Sequence, residues 1–387
     1  MGFVFSFVII SQTAIDIYLP SFPAMVDYFH TSNAVIQLTL SYFMLGYGVP
    51  QLIYGPLSDT YGRRPVIIFG LSLFTLASLL CTFATHIEEL LLFRFLQGVG
   101  AAALNVHQRA MIRDTFEREE LFRNAAYIAA IWTVVPIVAP VLGSYIQIYS
   151  NWRMNFGLLT LAQIMLLIAV IKKLPETRKP ALVYSKLTWK KLFTNYFSLL
   201  KHNIYLGSII SCALLNGIFL IFNIAAPFIF QLQLKLSPSG YAWVSIIASS
   251  GFLFGSWLTS SLNRFFPIYK IVLSGFVVTM IGVAQLIIFS LLGISTVMTL
   301  IIPMFGIFFG IGLLYSNTIT NAMKHFPHIA GSAGAFSGFV VCVMGSLISM
   351  LFSSFFANTI QSLAIVFTVL LVISFGLYLM VLKDELA

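Results

Sequence analysis

Twelve long apolar runs, separated by short polar segments, occupy most of this chain. Each is long enough to cross the hydrocarbon core of a bilayer as a helix, which takes about 20 residues. The runs fall at about 3–25, 33–54, 66–85, 88–110, 124–148, 154–174, 204–229, 240–262, 270–292, 295–322, 328–354 and 359–382. Because 59% of the residues are hydrophobic and only 9% are charged, the bilayer must be the solvent for most of the surface. The sequence therefore predicts an all-α membrane protein with twelve transmembrane helices.

The positions of the basic residues predict how these helices are oriented. Of the 21 Lys and Arg residues, all but three fall in the even-numbered gaps, at the ends of the runs that border those gaps, or in the C-terminal tail. Arg153 and Lys235 fall in odd-numbered gaps, and Arg94 lies inside a run. Basic loops stay on the cytoplasmic side of a membrane. We therefore expect a multi-pass protein of the inner (cytoplasmic) membrane with both termini in the cytoplasm, and we expect no nucleic-acid partner despite the net charge of +9.

The longest polar segment divides the runs into two sets of six. We place an N-terminal six-helix bundle at 1–174, a cytoplasmic linker at 175–203 and a C-terminal six-helix bundle at 204–387. Within the linker, residues 187–200 mix aromatic residues with lysines, a pattern typical of an amphipathic helix on a membrane surface. This helix would act either as a tether between the bundles or as a regulatory site.

A weak internal repeat supports the division into two bundles. Run four holds Gly98 and Asn105, and run ten holds Gly310 and Asn317, each pair 212 residues apart. The same offset relates three further residues of each run, Gly100, Ala110 and Met111 to Gly312, Ala322 and Met323. Two related bundles around one central site are a recurrent plan for secondary transporters.

The segment 55–65 concentrates charged residues between two apolar runs. A tight turn, an ion pair and paired guanidinium groups at this place can form a latch between helices where they meet water. The charge pattern places the segment on the cytoplasmic side. We therefore predict a cytoplasmic gate, which holds one conformation and does not bind the ligand. Its residues are Gly55, Asp59, Gly62, Arg63 and Arg64.

Asp16 is the one carboxylate that lies deep in an apolar run. A carboxylate is costly in hydrocarbon, so it must face a partner or a water-filled cavity. A group that can hold or release a proton beside a cavity is the minimum requirement for proton coupling. The alternative is a structural carboxylate at a helix kink, because Pro20 and Pro23 follow closely. We favour the functional interpretation, because ionisable residues inside a membrane mark functional sites by default.

Arg94 is the one basic residue that lies inside a run away from its cytoplasmic end. Both Arg94 and Asp16 fall in the outer half of the membrane, and a long arginine side chain can reach across their offset. We hypothesise that substrate or a conformational change loosens a contact between them and lets Asp16 take up a proton. The alternative role for Arg94 is a fixed hydrogen-bond donor to backbone carbonyls.

The remaining candidates concern the path between the bundles. Pro136, Pro140 and Gly143 in run five combine helix bending with close packing, which suits an interface between halves. Alternatively, run five is simply a kinked helix. Polar and aromatic residues in other runs are candidates for lining a substrate pocket: Tyr18, Tyr42, Tyr47, Gln97, Asn216, Phe219, Asn223, Trp243 and Asn317. For any single aromatic residue, contact with lipid is the more common role.

Several classes of protein find no support in the sequence. Cys81, Cys212 and Cys342 each fall within a run, and neither they nor the six histidines follow a metal-ligand spacing. The chain has no phosphate-binding loop and no nucleophile–base arrangement. We therefore expect no enzyme activity, no catalytic residue, no metal site and no cofactor, with a proton gradient as the energy source.

Several segments of the chain resemble those of one transporter family. Residues 55–65 resemble the loop 2–3 signature of the major facilitator superfamily, and residues 94–100 resemble the span-four motif of its drug/proton antiporters. Residues 139–143 resemble their span-five antiporter motif. Residues 16–23 and 151–153 resemble the bicyclomycin/chloramphenicol-resistance subfamily in particular. The resemblance covers the whole chain, and Ser144 departs from it by standing where the family usually has a second glycine.

The resemblance implies the major facilitator fold, with twelve transmembrane helices in two pseudo-symmetric halves. It assigns Asp59 and Arg63 to the cytoplasmic gate, Asp16 and Arg94 to proton coupling and the span-five motif to the interface between halves. We expect a monomeric transporter that exports small, partly apolar compounds in exchange for protons by alternating access, as in multidrug efflux. The alternative is a carrier of a specific metabolite or a metal-chelating small molecule, working as an exporter or an importer.

Overall fold

The computed structural model describes residues 1–115, 118–177 and 189–386, and these residues form fifteen α-helices. In chain order the helices are α1 (Gly2–Asp16), α2 (Phe22–Phe29), α3 (Asn33–Gly48), α4 (Gln51–Tyr61), α5 (Arg63–Phe83), α6 (Ile87–Thr115), α7 (Arg118–Tyr149), α8 (Arg153–Lys173), α9 (Trp189–Leu200), α10 (Asn203–Phe228), α11 (Pro238–Leu262), α12 (Ile268–Leu291), α13 (Val297–Met323), α14 (Ala330–Phe355) and α15 (Ile360–Leu386). Short 3₁₀ turns lie at Leu19–Ser21 and Pro327–Ile329, and a π-helical turn at Ile229–Gln233 extends α10.

These helices follow the twelve predicted runs. Ten helical segments of the described chain are long and apolar enough to cross a membrane. The second run is divided into α3 and α4 at Pro50, which begins a new helix because proline has no backbone donor. The fourth run, α6, is less apolar than the other runs because it contains Arg94, Gln97 and Gln108. These side chains are buried inside the bundle. These three polar side chains therefore face protein and avoid lipid.

Each set of six spans packs around a central helix. We call α1–α8 the N half and α10–α15 the C half. In the N half α6 packs against α3 and α5, while α1 packs against α7. In the C half α13 packs against α11 and α12, while α10 packs against α14 and α15. We call the end of the bundle that holds both chain termini the inner end and the opposite end the outer end.

The central helices α6 and α13 use their paired glycines in opposite order. Gly98 lies against α3, the second span of its half, and Gly100 lies against α5, the third span. In the C half Gly310 lies against α12, the third span, and Gly312 lies against α11, the second span. Residues 212 positions apart are therefore of the same type, but they contact different spans of their halves. Two glycines two residues apart point to nearly opposite sides of a helix, so either order permits two close contacts.

The two halves meet along three lines of contact. The first span (Gly2–Phe29) touches α10, both α3 and α4 pack against α14, and α7 packs against α11. Serines join α3 to α14, because Ser41 Oγ lies 2.7 Å from Ser349 Oγ and the Ser346 hydroxyl donates to the Ser41 carbonyl at 2.7 Å. Small hydroxyl side chains let the two backbones approach closely, and they hydrogen-bond where the contact is buried.

The linker helix α9 contacts both halves. Tyr196 packs against Phe336 of α14, and its hydroxyl donates to the Leu52 carbonyl of α4 at 2.8 Å. That carbonyl would normally accept the amide hydrogen four residues later, but residue 56 is proline. Tyr196 therefore satisfies an acceptor that the N half cannot satisfy itself. The predicted amphipathic helix begins at residue 187, and its first two residues lie outside the described chain.

Candidate coupling site and transport path

A carboxylate and an amide meet where α1 ends. The chain leaves α1 at Asp16 and continues through the 3₁₀ turn that contains Pro20. The Asp16 side chain is only 3% exposed. The Asn223 amide of α10 donates a hydrogen bond to Asp16 Oδ1 at 3.4 Å. The buried carboxylate of the N half therefore lies against the C half, and Asn223, predicted to line a pocket, is its partner.

Arg94 is fully buried inside the N half. Its Nε donates to the Thr39 carbonyl at 3.4 Å, and its Nη1 donates to the Ala14 carbonyl at 3.1 Å and to Gln97. The described residues show no salt bridge between Arg94 and Asp16. The guanidinium reaches the backbone two residues before the carboxylate, and the described contacts include no hydrogen bond from it to the carboxylate itself. This geometry is that of a fixed donor to backbone carbonyls.

Two predicted pocket residues, Tyr18 and Gln97, instead hold Arg94 in place. The guanidinium carbon lies 4.3 Å from the centre of the Tyr18 ring and 4.4 Å from that of Phe43. Gln97 accepts from Arg94 and donates to Ser78 Oγ at 2.7 Å. A buried guanidinium needs acceptors and aromatic faces to replace its hydration. Tyr18 and Gln97 supply them, so these fully buried side chains belong to the interior of the N half.

The predicted gate segment ties three helices of the N half together. Asp59 at the end of α4 forms a 2.7 Å salt bridge with the buried Arg63 at the start of α5. The Glu176 carboxylate, just beyond α8, accepts from the backbone amides of Arg63 at 2.9 Å and Arg64 at 3.1 Å. A carboxylate at this position satisfies the free amides of α5 and complements its helix dipole. The gate role of the segment stays a prediction.

The two glycines of this segment differ in what they do. Gly62 has a φ of 99°, a conformation that side chains rarely adopt, and a Cβ there would meet the Glu176 carboxylate. Gly62 therefore permits both the turn and the cap. Gly55 lies inside α4, where a Cβ would meet open space. The described contacts give no steric reason for glycine at position 55.

The fifth span, α7, contains Pro136 and Pro140 within a continuous helix. It packs against α11 of the C half and against α1 of its own half. Gly143 belongs to the second contact, because a Cβ at this position would collide with the Ile17 carbonyl. The predicted role of Gly143 at the interface between halves stays a prediction. This glycine lets α7 approach the residue that follows Asp16.

Four further pocket candidates lie on one helix from each half. Tyr42 and Tyr47 lie on α3, and Asn216 and Phe219 lie on α10. Tyr47 is buried and the other three are half-buried. Asn216 donates to the Val341 carbonyl of α14 at 3.4 Å. Both helices line the contact between halves, and a substrate role for these residues stays a prediction.

Two pocket candidates lie elsewhere. Trp243 is 56% exposed in an apolar row on α11 with Ile247 and Phe254, at the spacing of a lipid-facing helix surface. Asn317 exchanges hydrogen bonds with Asn263 at the inner end of α11, at 3.0 and 3.1 Å. Its amide is satisfied within the C half. A substrate role for Trp243 and for Asn317 stays a prediction.

A family model described as Major Facilitator Superfamily matches residues 4–350. The chain belongs to this superfamily. Its family and fold are those of transporters. The ten membrane-spanning helical segments found among the described residues, together with the bacterial relatives, make it a multi-pass membrane protein. An uncharacterised transporter of Rickettsia bellii is 32% identical over 373 residues, covering 92% of this chain and 90% of the relative. Multidrug resistance protein D of Escherichia coli is 29% identical over 333 residues, covering 86% of this chain and 82% of the relative.

A solved structure of the same superfamily fold is also similar. The xylose transporter XylE from E. coli, in a partially occluded inward-open conformation, matches with a TM-score of 0.75 at 12% identity. The match covers 97% of this chain and 95% of XylE. The likeness confirms the predicted fold class.

Uncharged amides join the two halves of this protein at the outer end, and the sequence did not predict these bonds. Gln37 of α3 donates to the Ile224 carbonyl at 2.9 Å and to Asn358 Oδ1 at 2.6 Å. Gln231 of the π-helical turn donates to the Pro20 carbonyl at 3.0 Å. All three bonds join the two halves. Gln37 carries a sequence signal, because it is a polar residue in an apolar run, whereas Asn358 and Gln231 lie where polar residues are common.

Proposed function

We propose that this chain is a proton-coupled secondary transporter that exports small, partly apolar compounds. The observation that carries the proposal is the burial of Asp16 at the contact between halves, where it accepts a hydrogen bond from Asn223. A carboxylate at this place changes its hydrogen bonding with every proton it gains or loses. Protonation is thereby linked to the contact that must open and close during alternating access.

The names of the relatives support export as the direction and drugs as the substrate class. The Escherichia coli relative carries the name Multidrug resistance protein D. The motifs at 16–23 and 151–153 resemble the bicyclomycin/chloramphenicol-resistance subfamily. We further propose that the protein is a monomer in the inner membrane, with both termini and the 55–65 gate in the cytoplasm, because the basic residues concentrate there. The proton gradient is the proposed energy source, with no cofactor.

Transport in proteoliposomes tests the proposal directly. Purified protein is reconstituted, a pH gradient is imposed, and accumulation of radiolabelled chloramphenicol is measured with and without a protonophore. We expect accumulation on the acidic side that collapses when the protonophore dissipates the gradient. Accumulation that is indifferent to the gradient would contradict antiport, and absence of chloramphenicol movement under any gradient would contradict drug export.

A further inference from the structure

A cavity of about 380 Å³ lies between the two halves at the outer end, and we call it the outer cavity. The N half contributes the start of α3 to its lining. The C half contributes the end of α10 with its π-helical turn, the end of α14 and the segment that joins α14 to α15. Pockets that bind small organic compounds measure about 300–1,000 Å³. The outer cavity is therefore large enough for a small compound, which would contact both halves.

The outer cavity has a buried floor and an exposed rim. Gln37, Phe228 and Ser353 on the floor are 1%, 1% and 4% exposed. Leu232 and Phe356 on the rim are 43% and 39% exposed. A compound can therefore enter from the outer surface of the molecule without any separation of the halves.

Four amide side chains line the outer cavity, those of Asn33, Gln37, Gln233 and Asn358. Gln37 donates to Asn358 Oδ1 at 2.6 Å and to the Ile224 carbonyl at 2.9 Å, and Gln233 donates to the Asn358 carbonyl. An amide group both donates and accepts hydrogen bonds. A carbonyl or hydroxyl group of a ligand can replace one of these partners at little net cost, because one neutral hydrogen bond is exchanged for another.

The described residues that line the outer cavity are all uncharged. Asp27, His30 and Lys235 lie in neighbouring segments, but their side chains are exposed and do not line it. An ionised compound on the buried floor would lose its hydration and gain no opposite charge. Phe228 and Phe356 supply aromatic surface for an apolar ring.

We propose that the outer cavity is a binding site for uncharged compounds that carry amide or hydroxyl groups next to an apolar ring. Neither Asp16 nor Asn223 lines this site, so it is separate from the candidate coupling site. The inference goes beyond the proposed function, because neither the direction of transport nor proton coupling enters its argument.

Photolabelling of the purified full-length protein in nanodiscs tests this assignment. The probe is a chloramphenicol analogue with an aryl azide in place of the nitro group, which is uncharged and carries an amide, two hydroxyls and a ring. Mass spectrometry then locates the labelled peptides. We expect label within 32–37, 228–233 or 353–359, and excess chloramphenicol should suppress it at least about fivefold.

A pair of tryptophan variants tests the position of the site. Ala357→Trp places a large ring on the exposed rim of the outer cavity and should reduce this labelling at least about fivefold, because the ring occupies the space of the ligand. Ser354→Trp adds the same ring at an exposed position that does not line the cavity, and it should label as wild type does. Because both variants alter exposed side chains, folding should be retained, and a thermal unfolding midpoint checks it.

A charged competitor tests the ligand class. The amine that remains when the acyl group of chloramphenicol is removed is smaller than chloramphenicol and is a cation at neutral pH. It should compete with the photoprobe at least about tenfold more weakly than chloramphenicol, because the cavity offers its charge no partner.

Three results would overturn the inference: label that is absent from these segments or is not suppressed by chloramphenicol, equal labelling of Ala357→Trp and wild type, or equal competition by the amine. The assay uses no pH gradient, so it separates the site from the proposed function. Label in the outer cavity without gradient-driven accumulation in proteoliposomes would support the site and contradict proton-coupled export. Accumulation without label there would do the reverse.

Discussion

The Asn223 side-chain amide donates a hydrogen bond to the Asp16 carboxylate at 3.4 Å and so connects α10 to the end of α1. This distance is long for a charge-assisted bond, so the contact is easily exchanged. A carboxylate only accepts hydrogen bonds, whereas a carboxylic acid also donates one. Uptake of a proton by Asp16 therefore changes a bond between the two halves.

We expect Asp16→Asn to abolish transport driven by a pH gradient and to preserve substrate binding. Asparagine has nearly the same volume and can still hydrogen-bond to Asn223, but it cannot titrate. Accumulation in proteoliposomes under an imposed gradient should fall at least about tenfold, while the dissociation constant of chloramphenicol changes less than about threefold.

Asp27→Asn is the matched control for this experiment. Asp27 lies on α2 of the same span, and its side chain is exposed. This variant should transport as wild type does. Full gradient-driven accumulation by Asp16→Asn would remove Asp16 from the coupling step.

A second prediction concerns the way Arg94 is held. Arg94→Lys keeps the charge but loses the planar group that stacks between Tyr18 and Phe43, and it loses the donor to Thr39. The lost charge-assisted hydrogen bond in a buried site should cost about 2–3 kcal/mol of stability. A lower midpoint in thermal unfolding of the purified protein would report this loss.

Arg153 offers a control with similar contacts in a more open place. Its guanidinium lies 4.2 Å from the centre of the Tyr28 ring and donates to the Ala84 carbonyl at 2.8 Å. Because Arg153 is half-exposed, Arg153→Lys should lower the midpoint much less. Equal decreases in the unfolding midpoint of the two variants would mean that burial does not determine how much stability is lost at Arg94.

Properties set locally along the chain could be predicted from the sequence. The runs are predictable because a bilayer requires about 20 apolar residues of each helix. The burial of Asp16 is predictable because its neighbours are apolar. Its partner is not, because Asn223 lies 207 residues away and pairing depends on how two halves dock. For the same reason the cap that Glu176 places on α5, 113 residues from Arg63, was missed.

The sequence also did not predict which side of its helix each residue occupies. Trp243 is an aromatic residue of the kind that lines pockets, and its side chain is exposed in a row with Ile247 and Phe254 on α11. The glycine pairs at 98 and 100 and at 310 and 312 match in sequence and contact their neighbours in opposite order. Which face a residue occupies depends on the position of neighbouring helices, and hydropathy does not contain that information.

A third prediction concerns the gate. We expect Asp59→Asn to slow transport and leave substrate affinity nearly intact, because it weakens the 2.7 Å salt bridge to Arg63 at the α4–α5 turn. Initial rates in proteoliposomes should fall at least about fivefold, with a change in dissociation constant below about twofold. Tyr61→Phe, a change at an exposed neighbour, should be neutral. Loss of binding as the main defect would place Asp59 in the ligand site instead.

The final prediction concerns pH and the start of α10. His202 is the N-cap residue of this helix, and its Nδ1 accepts from the Tyr205 amide at 3.3 Å. Burial and the nearby His325, whose ring centre is 4.9 Å away, lower the pKa of His202 below its ordinary value of 6.5. A protonated ring would lose its acceptor and place a positive charge at the positive end of the helix dipole.

Because the pKa is lower in the folded protein, the unfolded chain binds more protons, and stability must rise with pH in this range. The contribution of His202 is complete above its unfolded pKa of 6.5 and is lost as the pH falls through the folded pKa. His202→Asn keeps an N-cap that does not titrate, so it should flatten the decline of the thermal midpoint between about pH 7 and about pH 5. His86→Asn, at an exposed histidine before α6, should leave the decline unchanged. An identical slope for His202→Asn and wild type would show that the pH dependence arises elsewhere.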